Sequence, residues 1–490
     1  MFKRCGMCRP DPNLEKKMRR NEGWKRNGIF ILFLVVGIVW VAEAQEITPS
    51  ENDVLHLTLE DAINRALFAN RTIADAVDGV THSRYSLNAA GADFELKIIP
   101  EVFLDLAGEN KEVGGAVSLD KKLATGTRVT VSPIIQKSGG EVETGLDIAL
   151  TQPLLRGLSP VYNLQGIHQA DYFLRSTVRE LYITQVNVVL SVVSAVYNVI
   201  RQREILALHR SSYERSLGYA EAASVKQKMG LASAIDVYRA NIKLNQEESL
   251  VISSRDGYED ALDTLRILLV LPLDQPVEVS APLSYSQLPL VTDKALEIAL
   301  EKRVEIEQYG DMIANLERQS RAAEHGLLPD VDLTVRYSSR GRNADLGESV
   351  RANTGSVEVG LATTGATSRT QERALFEQSK IAVTGARRLL ELKRDEITRE
   401  VRFALRLLQR TEDNIAIQRE QINQAKGKLE LAKVKFSRGM ADNFDLIEAE
   451  SELRSAEINL VSAVIQYIEG QYRLKAAAGT LIERPGRTTS

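Results

Sequence analysis

Two long stretches of this 490-residue chain repeat each other. Residues 59–73 return as 292–306, with Ala62, Ile63, Ala66, Leu67 and Ile73 aligned at one shift with Ala295, Leu296, Ala299, Leu300 and Ile306. Residues 225–237 return as 434–446, keeping Val-Lys, a glycine five residues after the valine, and a closing Asp-Val or Asp-Leu. A duplication of this period sets the architecture before any local motif does. It predicts a molecule of two similar halves, 45–285 and 286–490, that form one continuous structural unit. Such a plan favours a pore or scaffold over a single active site.

Residues 1–44 read as a secretory signal peptide. Lys25 and Arg26 precede the apolar run Ile29 to Val36, and Ala42-Glu43-Ala44 supplies the small-x-small cleavage site. The run is short of the roughly 20 apolar residues of a membrane helix, and Met18 is an alternative start. No later stretch reads as a bilayer-spanning helix. The two cysteines, Cys5 and Cys8, both precede the cleavage site. The expected mature chain therefore has no disulfide, thiol nucleophile, thiolate metal site or lipidated cysteine. The segment removed carries a net charge of about +5, so the formal −4 of the whole chain becomes about −9. No basic patch points to nucleic acid. The five histidines, His56, His82, His168, His209 and His325, are too scattered for a metal site, and no phosphate loop, dinucleotide fingerprint or nucleophile elbow occurs. The expectation is a non-enzyme without cofactor or metal.

No proline occurs between Pro160 and Pro272 or between Pro329 and Pro485. Gaps of that length predict very long helices. Val401, Leu408, Ile415, Ile422, Leu429 and Phe436 recur every seventh residue, and Val192, Val199, Leu206, Tyr213 and Ala220 do the same in the first half. A sustained seven-residue period is a left-handed coiled-coil seam. Segments of about 70 residues would reach about 105 Å at 1.5 Å per residue, too long for an ordinary globular core.

Between the helical blocks the period falls to two. Val102, Leu104 and Leu106 alternate with Glu101, Phe103 and Asp105; Leu146, Ile148 and Leu150 with Asp147, Ala149 and Thr151. In the second half Val331, Leu333, Val335 and Tyr337 form one such row, and Val357, Val359 and Leu361 another. These four strands fit a half-buried sheet or a membrane barrel with lipid outside and water inside. Four strands cannot close a barrel, and an open edge cannot sit in lipid. A membrane setting would require several chains to share one barrel, and three copies would give about twelve strands. The two repeat shifts differ by about 24 residues. That extra length falls near 117–119 and 126–131 in the first half and reads as either added strand or outer loop.

These features together resemble the TolC family of outer-membrane efflux proteins. The resemblance rests on the duplicated opening Leu57-Thr58-Leu59-Glu60-Asp61-Ala62-Ile63, Pro100 and Pro329 at the strand entries, and Gln152 to Gly157 at a strand exit. It also rests on the Gly-containing tips and the closing 474–481. It implies a mixed α and β membrane protein: a trimeric outer-membrane β-barrel continuous with a long periplasmic α-helical barrel. The implied function is a passive exit duct from the periplasm across the outer membrane, with outer-membrane lipid around the barrel. The implied partners are a periplasmic adaptor and an inner-membrane pump or ABC transporter. Asp445 and Glu448, at i and i+3, match the family's carboxylates at the periplasmic constriction, and Asp236 matches a first-half tip aspartate. In a trimer such carboxylates would repel one another and attract cations. Phe436 and Ala441 stand where some members carry the Tyr and Arg of a closing bolt, with Arg438 or Lys435 as possible substitutes. Gly230, Leu231, Gly439 and Met440 would form the tip turns that meet the adaptor. The competing reading is a periplasmic coiled-coil tether or adaptor without a pore.

Overall fold

The computed structural model describes residues 54–105, 112–230, 232–284, 292–351, 354–363, 368–438, 440 and 443–484. The expected signal peptide, Leu231, Gly439, Ala441 and the 285/286 boundary between the halves lie outside them.

The described residues open with strand β1 (Leu55–Thr58), then helices α1 (Leu59–Ala69) and α2 (Arg71–Ala92). Thr58 and Asp61 form a reciprocal capping box that starts α1. Asn70, extended at φ −63° and ψ 131°, breaks the helix and caps α2 through Thr72 N–H. After four strands comes a short helix α3 (Pro160–Asn163), then α4 (Gln165–Lys228) and α5 (Ala234–Leu268). The same order follows with β6 (Val277–Ser280), α6 (Thr292–Lys302) and α7 (Val304–Gly326). Two strands separated by α8 (Leu346–Arg351) come next, then α9 (Thr370–Ser437) and α10 (Asn443–Ala477). Helix lengths run 11, 22, 64 and 35 residues in the first half and 11, 23, 68 and 35 in the second. Strands β1 and β6 pair in parallel, Leu55 opposite Val277.

The heptad rows are the packing seams. Val401, Leu408, Ile415, Ile422 and Leu429 are buried, as are Val192, Val199, Leu206 and Ala220. Each long helix packs on its return helix, α4 on α5 and α9 on α10, and α4 also meets α10. The return helices carry rows of mostly small residues at the same spacing: Ala240, Ser254 and Ala261 on α5, with Glu247 as the exception in that row, and Ala449, Ala456, Ala463 and Gly470 on α10. Small side chains let the backbones approach closely; a Cβ on Gly470 would sit 2.9 Å from Leu408 Cδ2. One sequence expectation is corrected here. Helix α4 contains a window apolar enough, by composition, to cross a bilayer. Its Val188 to Ile200 segment instead forms the largest core cluster, with Leu265, Leu269, Val277, Val279 and Ile465.

The second correction concerns the strands, six of which, rather than four, make the large sheet. They are β2 (Lys97–Asp105), β3 (Glu112–Lys122), β4 (Arg128–Ser138), β5 (Glu141–Pro153), β7 (Val331–Asn343) and β8 (Thr354–Thr363), adjacent in that order and antiparallel throughout. The extra residues of the first half are the β3–β4 hairpin. Gly114-Gly115 and Pro133 interrupt the period-two signal there, so the sequence pattern alone does not separate added strand from outer loop.

Candidate functional site

Cross-strand register sorts the sheet into two chemically opposite faces. One carries Ile98, Val102 and Leu104 of β2, Val113, Val117 and Leu119 of β3, and Val129, Val131 and Ile135 of β4. It continues through Leu146, Ile148 and Leu150 of β5, Leu333, Val335 and Tyr337 of β7, and Val357, Val359 and Leu361 of β8. Much of this face is bare: Val102 is 85% exposed and Leu361 69%. Contiguous exposed apolar area on this scale marks an interaction with lipid or protein. Toward the end remote from the helices the face shrinks to Thr144, Ser339 and Gly341, and α8 covers it through Ser349, whose hydroxyl lies 3.2 Å from that of Thr144.

The opposite face is polar and internally paired. Arg340 bonds Asp147 at 2.5 Å, Ser338 donates to Asp147 at 2.7 Å, and Arg342 bonds Glu143 at 2.7 Å. Gly145 makes room for this arrangement, since a Cβ there would lie 2.7 Å from Arg340 Nη1. Strands of 9 to 13 residues, apolar on one face and ion-paired on the other, have the length and pattern of transmembrane β-strands.

At the helical tips, Gly230 turns the chain out of α4 at φ +71°, a conformation that favours glycine. Ser233 and Asp236 then form a capping box on α5. The Ser233 hydroxyl and backbone N–H, both donating to Asp236, hold its carboxyl below the usual carboxylate range. Asp236 thus serves its own helix start. Met440 donates its N–H to Lys435 O at 2.9 Å and is exposed. Asp445 and Glu448 are both exposed on the first turns of α10. Glu448 shares Lys428 of α9 with Glu452, at 3.4 and 2.9 Å. Two cation–π contacts join the hairpins: Lys226 Nζ of α4 lies 3.6 Å from the Phe436 ring centroid of α9, and the Arg239 guanidinium of α5 lies 5.8 Å from that of Phe444 on α10. Phe436 therefore contributes a ring face at the position where the resemblance implies a tyrosine hydroxyl in some members.

A deeper interlock was missed in the sequence. Glu247 of α5 is fully buried and accepts from Arg454 of α10 and, at 2.8 Å, from Lys243. Arg454 also donates to Ser212 of α4 at 3.0 Å, and His209 lies beside the same carboxylate. One turn nearer the tips, Glu450 of α10 accepts from Arg215 at 2.7 Å and Tyr219 at 3.0 Å, both on α4. Burial pushes the Glu247 carboxyl up, but Lys243 and Arg454 outweigh it and hold the group below its ordinary range. Burial, with Arg454 adding repulsion, pushes His209 down and keeps it neutral. The available signal was a glutamate in an otherwise small-residue heptad row.

A sheet with one apolar face, joined to long paired helical hairpins, is a fold shared with solved outer-membrane channels. Residues 295–480 match the family model described as outer membrane efflux protein. Outer membrane protein TolC of Escherichia coli is 22% identical over 313 residues, 61% of this chain and 63% of its own length. The match thus spans less than two thirds of that relative. Outer membrane efflux protein BepC of Brucella suis is 24% identical over 342 residues, 68% of this chain and 72% of its own. Among solved structures, the Campylobacter jejuni CmeC outer membrane channel superposes with a TM-score of 0.69 at 14% identity, covering 88% of this chain and 87% of CmeC. The Neisseria gonorrhoeae MtrE outer membrane channel, in its open state, gives 0.65 at 17%, covering 86% and 89%. Over these matched segments the chain is similar to the TolC family of outer-membrane efflux proteins. Members of this family are channels rather than enzymes.

Proposed function

We propose that this protein is the exit duct of a tripartite efflux or secretion system. Three copies pool their sheets into one outer-membrane barrel, and their helices form a periplasmic tunnel that docks to an adaptor and an inner-membrane transporter. The duct is passive and catalyses no reaction; energy comes from the transporter. The observation that carries this reading is the six-stranded sheet with one exposed apolar face and, among the described residues, two unpaired edges. A six-stranded open sheet exposes backbone groups that lipid cannot satisfy, so closure by further copies removes both edges. A periplasmic tether would have no use for that face.

The matching order and lengths of the helices in the two halves support a duplicated ancestry, with corresponding hairpins alternating around the tunnel. On this reading the constriction lies at the tips, with Asp445 and Glu448 as its carboxylates and Asp236 as the cap that fixes the neighbouring turn. Gly230, Leu231, Gly439 and Met440 form the surface offered to the adaptor. Outer-membrane fractionation, with gel migration of unheated and heated samples, tests the assignment. A heat-sensitive oligomer in the outer-membrane fraction supports it, and a soluble periplasmic monomer overturns it.

A further inference from the structure

The β3–β4 hairpin changes the size of the barrel. Its two strands each have 11 residues, long enough to span an outer membrane when tilted. They are not appended to an edge: they lie between β2 and β5, paired along both sides. Their apolar residues Val113, Val117, Leu119, Val129, Val131 and Ile135 all fall on the apolar face shared by the other four strands. Glu112, Ser118, Asp120, Thr130, Ser132 and Gln136 fall on the other face, where Ser118 and Ser132 hydroxyls meet at 3.0 Å and Thr130 donates to Asp120 at 3.1 Å; Lys121 and Lys137, near the strand ends, share the apolar face, and Ile134 the polar one.

The hairpin also runs the full height of the sheet. Its turn is packed at the end where β2 leaves α2 and β5 leads into α3. Thr127 donates to Gln152 of β5 at 2.5 Å, and Lys121 donates to Phe94 O at 2.6 Å. Gly126 sits at φ +82° so close to the strand exit that a Cβ would lie 2.3 Å from Gly157 O. An outer loop would have its turn at the opposite end, free of the helical junction.

We infer that the β3–β4 hairpin is a membrane-spanning insertion, so that each chain gives six strands and the closed barrel of three copies has eighteen. The copy number rests on the reading proposed above; the six strands per chain do not. Geometry favours this closure. With an even number of strands in an antiparallel sheet, the edge strands β8 and β2 run in opposite directions. The seam between copies is therefore antiparallel like every other pair, and the total strand number is even, as in bacterial outer-membrane barrels. Barrel diameter grows roughly linearly with strand number, so eighteen strands give a lumen about half as wide again as twelve, in the range that leaves an open aqueous channel.

The test uses the full chain reconstituted in lipid vesicles, with single cysteines at Val117, Val131, Ser118 and Ser132, and with Val359 and Ser338 as controls on β8 and β7. Both native cysteines lie in the segment expected to be cleaved, so labels report single sites. Each nitroxide-labelled variant is measured for collision with oxygen and with a water-soluble nickel complex. The expected result is that 117 and 131 follow 359 as lipid-facing, while 118 and 132 follow 338 as water-facing. Nickel accessibility on both faces of the hairpin, with 359 still lipid-facing, overturns the insertion. Native mass of the detergent-solubilised assembly is read separately. Three copies support eighteen strands, whereas any other copy number overturns eighteen and the trimer together while leaving the labelling result to decide the strands per chain.

Discussion

Arg454 on α10 donates to Glu247 on α5, whose side chain has no exposed surface. The contact joins the return helices of the two hairpins, and Ser212 of α4 shares the same guanidinium. Separating α10 from the first hairpin must break it, together with the Glu450 contacts to Arg215 and Tyr219. The hairpins are thus held by buried charge a few turns from the tips as well as by the rings at the tips themselves.

Arg454→Met leaves Glu247 buried with Lys243 as its remaining close cation. Removing one partner of a buried pair costs about 3–5 kcal/mol, so the thermal midpoint falls. The double variant Arg454→Met, Glu247→Leu recovers most of the loss, because no uncompensated charge is left. A double-mutant cycle by thermal denaturation measures both.

Acid weakens this interlock. His209 has a folded pKa below its ordinary 6.5, so the unfolded chain takes up a proton there before the folded chain does. Its contribution to stability is complete above pH 6.5 and declines as pH falls through that value toward the lower folded pKa. Glu247, depressed by Lys243 and Arg454, contributes stability that is complete above its ordinary 4.5 and is lost as pH falls through its lower folded pKa. Both slopes have the same sign. Unfolding midpoints measured from pH 7.5 to 4 should decrease, and His209→Gln should flatten the upper part of that profile.

The two faces of the sheet should tolerate charge differently. Val131→Arg on the apolar face costs about 2–4 kcal/mol if the position lies at the bilayer midplane, so it depletes heat-sensitive oligomer. Thr130→Arg, one residue along and on the polar face, should assemble normally. Quantified gels of outer-membrane fractions compare the two.

Lys226 over Phe436 is a lighter tie. An exposed cation–π contact contributes about 0.5–1 kcal/mol, so Phe436→Leu should raise the frequency of channel opening about 2–5-fold in bilayer recordings. An unchanged frequency would remove this contact from the closing mechanism.

The helices and four of the strands were legible because their periods are long and clean. Seven-residue rows such as Val401 to Leu429 run without a break, and Val331 to Tyr337 alternates without exception. The β3–β4 hairpin was not. Gly114-Gly115 carries no apolar signal, and Pro133 lacks the N–H that a central strand uses; the β3–β4 register is indeed interrupted opposite it, between Ala116↔Ile134 and Leu119↔Val131. Glu247 was overlooked for a related reason. Its row, Ala240, Glu247, Ser254 and Ala261, is too small and polar to stand out by hydrophobicity, although all four residues are buried. Glu448 was legible as a tip carboxylate, but its sharing of Lys428 with Glu452 depends on how α9 and α10 align across the turn.

The central claim is that the assembled chain is a water-filled exit duct narrowed by tip carboxylates. Planar-bilayer recording of the wild type beside the Asp445→Ala, Glu448→Ala variant tests it most directly. Discrete conductance steps from both proteins are predicted, with block by multivalent cations strong in the wild type and relieved in the variant. Stable insertion of both proteins without any conductance step would contradict the duct, and equal cation block in the two would contradict the carboxylate constriction.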